Sequence, residues 1–396
     1  MSNQNIDTRR RTVLQIAGMI TATPLVSRVV EASSTKYDNI SHTDKRIIGY
    51  YPSWATEYTP QHVPYDKITH LNYAFLEPKS NGAVQLAVTG DSDPERLEEF
   101  RRISRNHQET SFMFAISSGW YSGRFSDAAL TAERRERFAR TAIEIMRTYD
   151  FDGIDIDWEY PDGTIRESDP HHLTLLLREI RRQLDEMGRK DGRRYELSMA
   201  AAPIPSNIDP LEVDRIRNYL DHINVMNYDF HGGWSAVSSF NAPMYTAPDA
   251  PNPNPLLTAN HAMQYWADQP IAREKLVFGV PFYGRTFENV RNENRGLFQP
   301  FNGSGAATYS EIQTNIKRKS QYQYHWHPKA RVPWLYSETD DVFISYDDRH
   351  SIMEKAKYVE DNDFGGVMCW ELSQDHTNTL VKAIHTVLAH PGGIDG

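Results

Sequence analysis

Cysteine is almost absent from this sequence of 396 residues, which contains only Cys369. A single thiol cannot form an intramolecular disulfide, so a disulfide framework and a cysteine metal centre are both excluded. Cys369 lies in an apolar segment near the C-terminus. We therefore expect it to be an inert residue of the core.

Long hydrophobic runs and long basic runs are also missing. The apolar stretch of residues 16–30 is interrupted by Pro24 and Arg28, and it is too short and broken for a membrane span. No long Lys/Arg run follows the N-terminus, and the net charge is -10, which argues against a nucleic-acid-binding surface. We expect neither a membrane nor a nucleic-acid partner, and we expect a monomer.

The N-terminal residues 1–35 do not have the pattern of folded elements. The paired arginines Arg10 and Arg11 precede a weakly hydrophobic stretch, and residues 30–32 (VEA) offer a cleavage site. This segment resembles a twin-arginine export signal, which implies secretion of the folded protein. A disordered basic tail is the alternative.

From Arg46 onward, strand-like and helix-like segments alternate in a chain whose apolar content of 39% can support a sizeable core. The eight predicted strands are residues 47–51, 68–75, 111–117, 153–158, 196–201, 222–227, 276–280 and 365–370. The predicted helices are residues 95–107, 127–149, 170–187, 211–219, 352–359 and 377–388. This alternation predicts an α/β fold, a (β/α)8 TIM barrel formed by residues 44–288 and 346–392.

The interval of residues 289–345 breaks the alternation. It combines Gly, Asn and Ser with aromatic clusters and is too long for a simple connection in a compact barrel. We therefore predict a small α+β insertion after the seventh strand. Such an insertion would raise one wall of the barrel rim and create a deep cleft.

Acidic and apolar residues alternate along residues 153–159. The apolar set is Ile154, Ile156 and Trp158, and the acidic set is Asp155, Asp157 and Glu159. In a parallel barrel, the apolar face packs on the surrounding helices and the acidic face points into the barrel. Glu159 is then expected at the C-terminal mouth.

Three carboxylates on one strand face cannot all be charged at low cost, because burial and like charges raise carboxyl pKa values. At least one should hold or share a proton, which suits a general acid. Two alternatives are solvated acids on an edge strand and a hard-cation site. No second acidic or histidine cluster of matching spacing accompanies these acids, so we predict no metal site.

The pattern Asp152-x-x-Asp155-x-Asp157-x-Glu159 resembles the signature of glycoside hydrolase family 18, the chitinases and their relatives. The resemblance extends over about residues 46–390 and includes other predicted strand ends. These are residues 49–54 (GYYPSW), 72–75 (NYAF), 226–229 (MNYD), 279–285 (GVPFYGR) and 365–371 (GGVMCWE). Chitinases of the larger subfamily are similar in carrying an insertion after the seventh strand.

The resemblance implies retaining hydrolysis of β-1,4-linked N-acetylglucosamine in chitin or chitooligosaccharides, with the substrate's acetamide oxygen as nucleophile and no cofactor. Endo attack is expected in preference to exo attack, which the sequence leaves open. Glu159 would protonate the glycosidic oxygen and then activate water. Asp157 would orient the acetamide and stabilise the oxazolinium ion, while Asp155 would share its proton. Tyr228 would donate its hydroxyl to the acetamide carbonyl.

The resemblance also implies a set of substrate-binding residues, with Trp370 as the floor beneath one sugar. The others are Asp229, Met226, Tyr283, Arg285, Tyr50, Phe75, Trp120 and Trp234, and Trp54 and Trp334 are further candidates. Structural roles remain open for several of them. Tyr228 could cap the core, Arg285 could form a rim salt bridge, and a lone Trp is more often a core residue. Asp152 lies off the inward face and is expected to support the preceding loop.

The third strand departs from the family pattern, because Ile116 stands where a serine usually bonds the innermost acid. Unless Ser117 or Tyr50 compensates, Asp155 loses a partner and the pH optimum changes. Two other functions stay open. A chitin-binding lectin would usually lack the terminal glutamate, whereas Glu159 is present. A family relative acting on N-glycans or muropeptides is the second.

Overall fold

The computed structural model describes residues 45–86, 94–119 and 121–389. In this part the strands are β1 (Arg46–Pro52), β2 (His70–Pro78), β3 (Val84–Leu86), β4 (Ser111–Ser117), β5 (Gly153–Asp157), β6 (Glu196–Ala201), β7 (His222–Val225), β8 (Leu276–Pro281), β9 (Tyr283–Phe287), β10 (Ser304–Thr308), β11 (Tyr322–His327), β12 (Val332–Ser337), β13 (Val342–Ser345) and β14 (Gly366–Trp370). The helices are α1 (Pro94–Ser104), α2 (Gly123–Ala129), α3 (Ala132–Thr148), α4 (Asp169–Asp191), α5 (Pro205–Ile208), α6 (Val213–Ile216), α7 (Ala259–Ala267), α8 (Tyr309–Glu311), α9 (Arg349–Asp361) and α10 (Thr379–Leu388).

Eight parallel strands close into a barrel in the order β1, β2, β4, β5, β6, β7, β8 and β14, and β14 pairs again with β1. The short β3 pairs antiparallel with β2 outside this ring. The predicted (β/α)8 TIM barrel is confirmed. Because parallel barrel strands are covered on both faces, all residues of β4, β5 and β6 are buried.

Alternate residues of β5 enter two different layers. Ile154 and Ile156 belong to the core between the barrel and its helices. Just beyond the strand, the ring of Trp158 stacks on Phe125 of α2 with centroids 5.3 Å apart. Asp155 lies in the barrel interior, where it contacts Tyr50 of β1 on the far side. The strand therefore delivers its acids inward and its large apolar side chains outward.

Several helix bounds differ from the prediction. Residues 127–149 form two helices, α2 and α3, because Thr131 is extended and its side chain caps α3 by accepting a hydrogen bond from Arg134 N. Only the short α6 lies within the predicted helix 211–219, and α5 and α7 were not predicted. The strand β7 ends at Val225, two residues before the predicted end.

A second, antiparallel sheet follows β8 in the chain. Its strand order is β10, β9, β13, β12, β11. It begins at Tyr283, with only Phe282 between β8 and β9, so its first strand starts before the interval 289–345 predicted for the insertion. One face of this sheet packs a separate apolar cluster that includes Phe287, Trp334 and Phe343.

Residues 1–35, which carry the predicted export signal, lie outside the described residues. Within residues 45–86, 94–119 and 121–389, none of the helices combines the length and apolar character that crossing a bilayer requires.

Candidate active site

The acidic residues of β5 form a ladder that rises through the barrel. Asp155 is fully buried, Asp157 ends the strand and is nearly buried, and Glu159 follows it with partial exposure. Their spacing of two residues places all three on the same side of an extended chain. The ladder thus ends at the C-terminal rim, where barrel active sites lie.

Asp155 is held at the bottom of the ladder by three hydrogen-bond donors. The Tyr50 hydroxyl donates to Oδ2 over 2.7 Å, the Ser198 hydroxyl donates to Oδ1, and Asn224 Nδ2 donates to Oδ1 over 3.3 Å. Burial raises the pKa of Asp155 to about 6 even though these hydrogen bonds favour its ionised form.

Asp157 is the least readily ionised member of the ladder. Burial, followed by the charges of Glu159 and Asp155, raises its pKa well above the ordinary value, and a hydrogen bond from Ser117 opposes this. Its Oδ1 has no hydrogen-bond partner among the described residues. Near neutral pH the pair therefore favours a protonated Asp157 above an ionised Asp155.

Glu159 combines a partly exposed position with a raised pKa. Burial is the main cause, the negative charge of Asp229 adds to it, and a hydrogen bond with Tyr160 opposes it. A carboxyl group that keeps its proton closer to neutral pH can serve as a general acid. Of the three acids it is the one at the mouth of the barrel.

Tyr228 and Asp229 follow β7, which is the second strand from β5 in the barrel, with β6 between them. Burial raises the pKa of Tyr228 well above its ordinary value, so its hydroxyl stays protonated. Asp229 Oδ1 accepts hydrogen bonds from the Tyr283 hydroxyl at 2.7 Å and from Arg285 Nε and Nη2 at 2.9 and 2.6 Å. Arg285 therefore forms a rim ion pair, and all three donors use the same carboxylate oxygen. Met226 is buried in the barrel interior just before these residues.

An aromatic platform lies at the ends of β1, β2 and β14. The rings of Trp370 and Phe75 stack with centroids 5.4 Å apart, and Trp54 stacks on Phe75 at 5.9 Å. The side chain of Trp54 is 43% exposed. Tyr50 is buried with its ring edge against Trp370, so it supports the platform and Asp155 rather than offering an open surface.

The other predicted tryptophans have different surroundings. Trp234 is 60% exposed at the rim, and the Arg285 guanidinium lies 5.1 Å from its ring centroid. Trp334 was a wrong candidate, because it is 5% exposed in the core of the second sheet and donates Nε1 to Arg295 O. Trp120 lies outside the described residues.

The expectation that Ile116 replaces an inward-facing serine was wrong. Ile116 packs in the core between the barrel and its helices, whereas Ser117 pairs in register with Asp157. Asp155 keeps three partners, two of which, Ser198 and Asn224, were missed. Each is a polar residue between two apolar residues of a buried strand, and that pattern could have identified them.

Asp152 lies at the opposite end of β5 from the rim. Its Oδ2 accepts a hydrogen bond from Phe112 N at 2.8 Å, and its Oδ1 pairs with Arg193. It therefore joins the start of β5 to β4 and does not face the acids. Across the described chain, no group of three or more His, Cys, Asp or Glu side chains is arranged to hold a metal ion.

Comparison with known proteins gives similarity over the whole barrel. Chitinase A1 of Niallia circulans is 31% identical, with 88% of this chain and 59% of that protein covered. Endochitinase 1 of Metarhizium robertsii is 30% identical, with coverage of 82% and 80%. The solved structure of a Bacillus thuringiensis chitinase superposes with a TM-score of 0.79 at 29% identity, covering 87% of this chain and 70% of that one.

The sequence model of one protein family, the glycosyl hydrolases family 18, matches residues 46–375 of this chain. This range contains the closed barrel, the acid ladder and the second sheet. The chain belongs to glycoside hydrolase family 18.

Proposed function

We propose that the protein is a retaining, endo-acting chitinase that cleaves β-1,4 links between N-acetylglucosamine units. The observation that carries this proposal is the ladder of Asp155, Asp157 and Glu159, in which burial raises all three pKa values and neighbouring negative charges raise those of Asp157 and Glu159 further. Relatives named chitinases, of which one is 31% identical over 88% of this chain, support the substrate.

The first chemical step breaks the glycosidic bond. Glu159 transfers its proton to the glycosidic oxygen while the acetamide oxygen of the sugar attacks the anomeric carbon. The leaving sugar departs with the proton, and an oxazolinium ion remains. The protonated hydroxyl of Tyr228 donates to the acetamide and holds it near the anomeric carbon.

The second step returns the acid to its starting state. The Glu159 carboxylate removes a proton from water as the water oxygen attacks the anomeric carbon. The carbon–oxygen bond of the oxazolinium ring breaks, and the acetamide is regenerated. Because the anomeric carbon is attacked twice from opposite sides, its β configuration is retained.

Asp157 and Asp155 stabilise the positive charge that develops on the sugar between these steps. In this proposal, the N–H of the acetamide, and then of the oxazolinium ring, donates to Asp157 Oδ1, which has no other partner among the described residues, and Asp155 supplies the negative charge beneath it. A fixed anion in a buried site stabilises such a cation strongly. The three donors to Asp155 keep that anion in place.

Exposed aromatic rings in two places support endo cleavage. Trp54 follows β1 and Trp234 follows β7, and β14 and β8 lie between these strands in the barrel. Both rings offer flat faces on which the C–H faces of sugars can stack. Each ring can hold a sugar other than the one that reacts, which suits cleavage of bonds within the polymer.

The test is product analysis by mass spectrometry after incubation with chitotetraose and chitohexaose, alongside Glu159→Gln. We expect wild type to release short oligosaccharides whose new ends are initially β by NMR. The variant should bind the hexamer but lose at least about a hundredfold in kcat, because general acid catalysis contributes roughly 10²–10⁴.

Glu133→Gln provides a matched control, since Glu133 is an exposed acid in the first turn of α3, a helix outside the barrel, and it should keep wild-type activity. Binding without cleavage by wild type at every pH would favour a lectin. Cleavage of N-glycans or muropeptides in preference to chitooligosaccharides would replace the proposed substrate.

A further inference from the structure

A groove of about 570 Å³ opens beside the aromatic platform. It lies between the loop after β1, the start of α8, which follows β10 of the second sheet, and the loop after β14. This volume is in the range of roughly 300–1,000 Å³ that is typical of ligand pockets. The proposed chemical steps do not use this groove.

The groove is continuous with the platform through Trp54. That ring lines the groove, and it also stacks on Phe75 and lies 6.1 Å from Trp370. Ser373 also lines the groove, and its N and Oγ donate to Glu371, the residue after Trp370. A sugar chain on the platform can therefore continue into the groove without leaving the protein surface.

The lining of the groove combines hydroxyls with negative charge. Thr and Ser side chains come from all three of its walls, and two carboxylates, Glu57 and Glu311, stand among them. The described lining residues include no lysine and no arginine, and His376 is the one residue there that could become a cation. Hydroxyls and one aromatic face suit a sugar, and the carboxylates favour a sugar that carries a positive charge.

We propose that this groove binds a glucosamine unit, the deacetylated and cationic form of N-acetylglucosamine, beyond the sugar that lies on Trp370. The free ammonium group pairs with Glu57 and Glu311, and Trp54 stacks on the adjoining sugar. The protein thereby selects partly deacetylated chitin. This inference rests on the proposed chitinase function and adds a preference at a distance from the cleaved bond.

The test is digestion of a chitosan in which about half of the units are acetylated, followed by mass-spectrometric sequencing of the products. The sugar next to the cleaved bond must be acetylated for the acetamide to attack. We expect glucosamine to be enriched about threefold at one position beyond the sugar next to that bond, as a partly exposed ion pair would give.

The double variant Glu57→Gln, Glu311→Gln should lose this enrichment and keep the acetyl requirement. Gln at position 311 retains the oxygen that accepts from Thr308 N in the helix cap. Fully acetylated chitohexaose, which offers the groove no ammonium group, should be cleaved at the same rate by wild type and variant. Glu133→Gln is again the matched control, and 0.5 M salt should reduce the enrichment in wild type.

An even distribution of glucosamine at all distal positions would overturn the inference, as would enrichment that survives in the double variant. Either result leaves the proposed function standing if fully acetylated chitohexaose is still cleaved. Failure to cleave that hexamer would instead reject the proposed function.

Discussion

At the scale of single residues, the Tyr50 hydroxyl controls how readily Asp155 ionises. We predict that Tyr50→Phe raises the pKa of Asp155, because a hydrogen bond to a charged group contributes roughly 1.5–3 kcal/mol, or about one to two pKa units. The wild-type value is about 6. If ionised Asp155 is the active form, the acidic limb of the kcat/KM profile moves upward by at least about one unit.

Tyr51→Phe is the control for this measurement. Tyr51 is the next residue of β1, is equally buried, and donates its hydroxyl to Tyr58 O on the outer side of the barrel. Its loss should lower stability without moving the pH profile. Equal shifts in the two variants would contradict a specific link between Tyr50 and Asp155.

Glu371 gives a second prediction, about stability and pH. It is 3% exposed, and burial raises its pKa from the ordinary 4.5 to about 7 despite hydrogen bonds from Ser373. The folded protein therefore holds this proton at pH values where the unfolded chain has released it. The stability gained from this residue is complete below about pH 4.5 and falls as the pH rises to about 7.

We expect Glu371→Gln to gain stability relative to wild type as the pH rises from 5 to 8, by up to about 3 kcal/mol. Urea unfolding at both pH values measures this difference. The variant loses one acceptor for Ser373, which is a cost present at every pH. If the stability difference between the variant and wild type did not change with pH, the pKa of Glu371 in the folded protein would be near its ordinary value.

The residue scale also shows where sequence reasoning succeeds and fails. The alternation in β5 is visible because acids and large apolar residues differ so strongly, and the inward position of Asp155 was predicted from it. In β4 one face carries Phe112, Phe114 and Ile116 and the other carries Ser, Met, Ala and Ser, all of them buried. Ile116 was placed by the family motif and not by this alternation, so its orientation was mistaken.

At the scale of elements, α9 carries a buried ion pair that joins it to the preceding loop. Lys355 Nζ donates to both oxygens of Asp347 at 2.6 and 2.7 Å, and neither side chain is open to solvent. We predict that Lys355→Met destabilises the protein by about 3–5 kcal/mol, because it leaves a buried carboxylate without its cation. Urea unfolding at pH 7 measures the loss.

The double variant Lys355→Met, Asp347→Asn should recover a large part of that stability, since no uncompensated charge remains. Ser351 Oγ still has an oxygen at position 347 to which it can donate. If the double variant were as unstable as the sum of the single variants, packing at Lys355 would be responsible and not its charge.

Strands were predicted more accurately than helices, and the reason is local. Each barrel strand is a short apolar run bounded by polar residues, whereas α2 and α3 form one continuous amphipathic stretch in which only the Thr131 cap marks the break. The four-residue α5 and α6 are too short to show a helical period. Their presence depends on packing that a single sequence does not reveal.

At the scale of the whole molecule, we propose export of the folded protein by the twin-arginine segment. Replacement of Arg10 and Arg11 with lysine should leave the uncleaved precursor inside the native cell. Fractionation followed by N-terminal mass spectrometry of the secreted protein checks this result. Arg28→Lys, a change within the apolar stretch, should leave export intact, and retention of uncleaved wild-type protein in the cell would contradict the proposal.

The direct passage from β8 to β9 limits how this protein can be redesigned. Only the buried Phe282 separates the two strands, and β9 carries both Tyr283 and Arg285, the residues that hold Asp229. The second sheet is consequently not a detachable module that can be exchanged between homologues at a linker. Shortening it to admit bulkier polymers has to start at its outer hairpin, β11 and β12, and has to stop before β9.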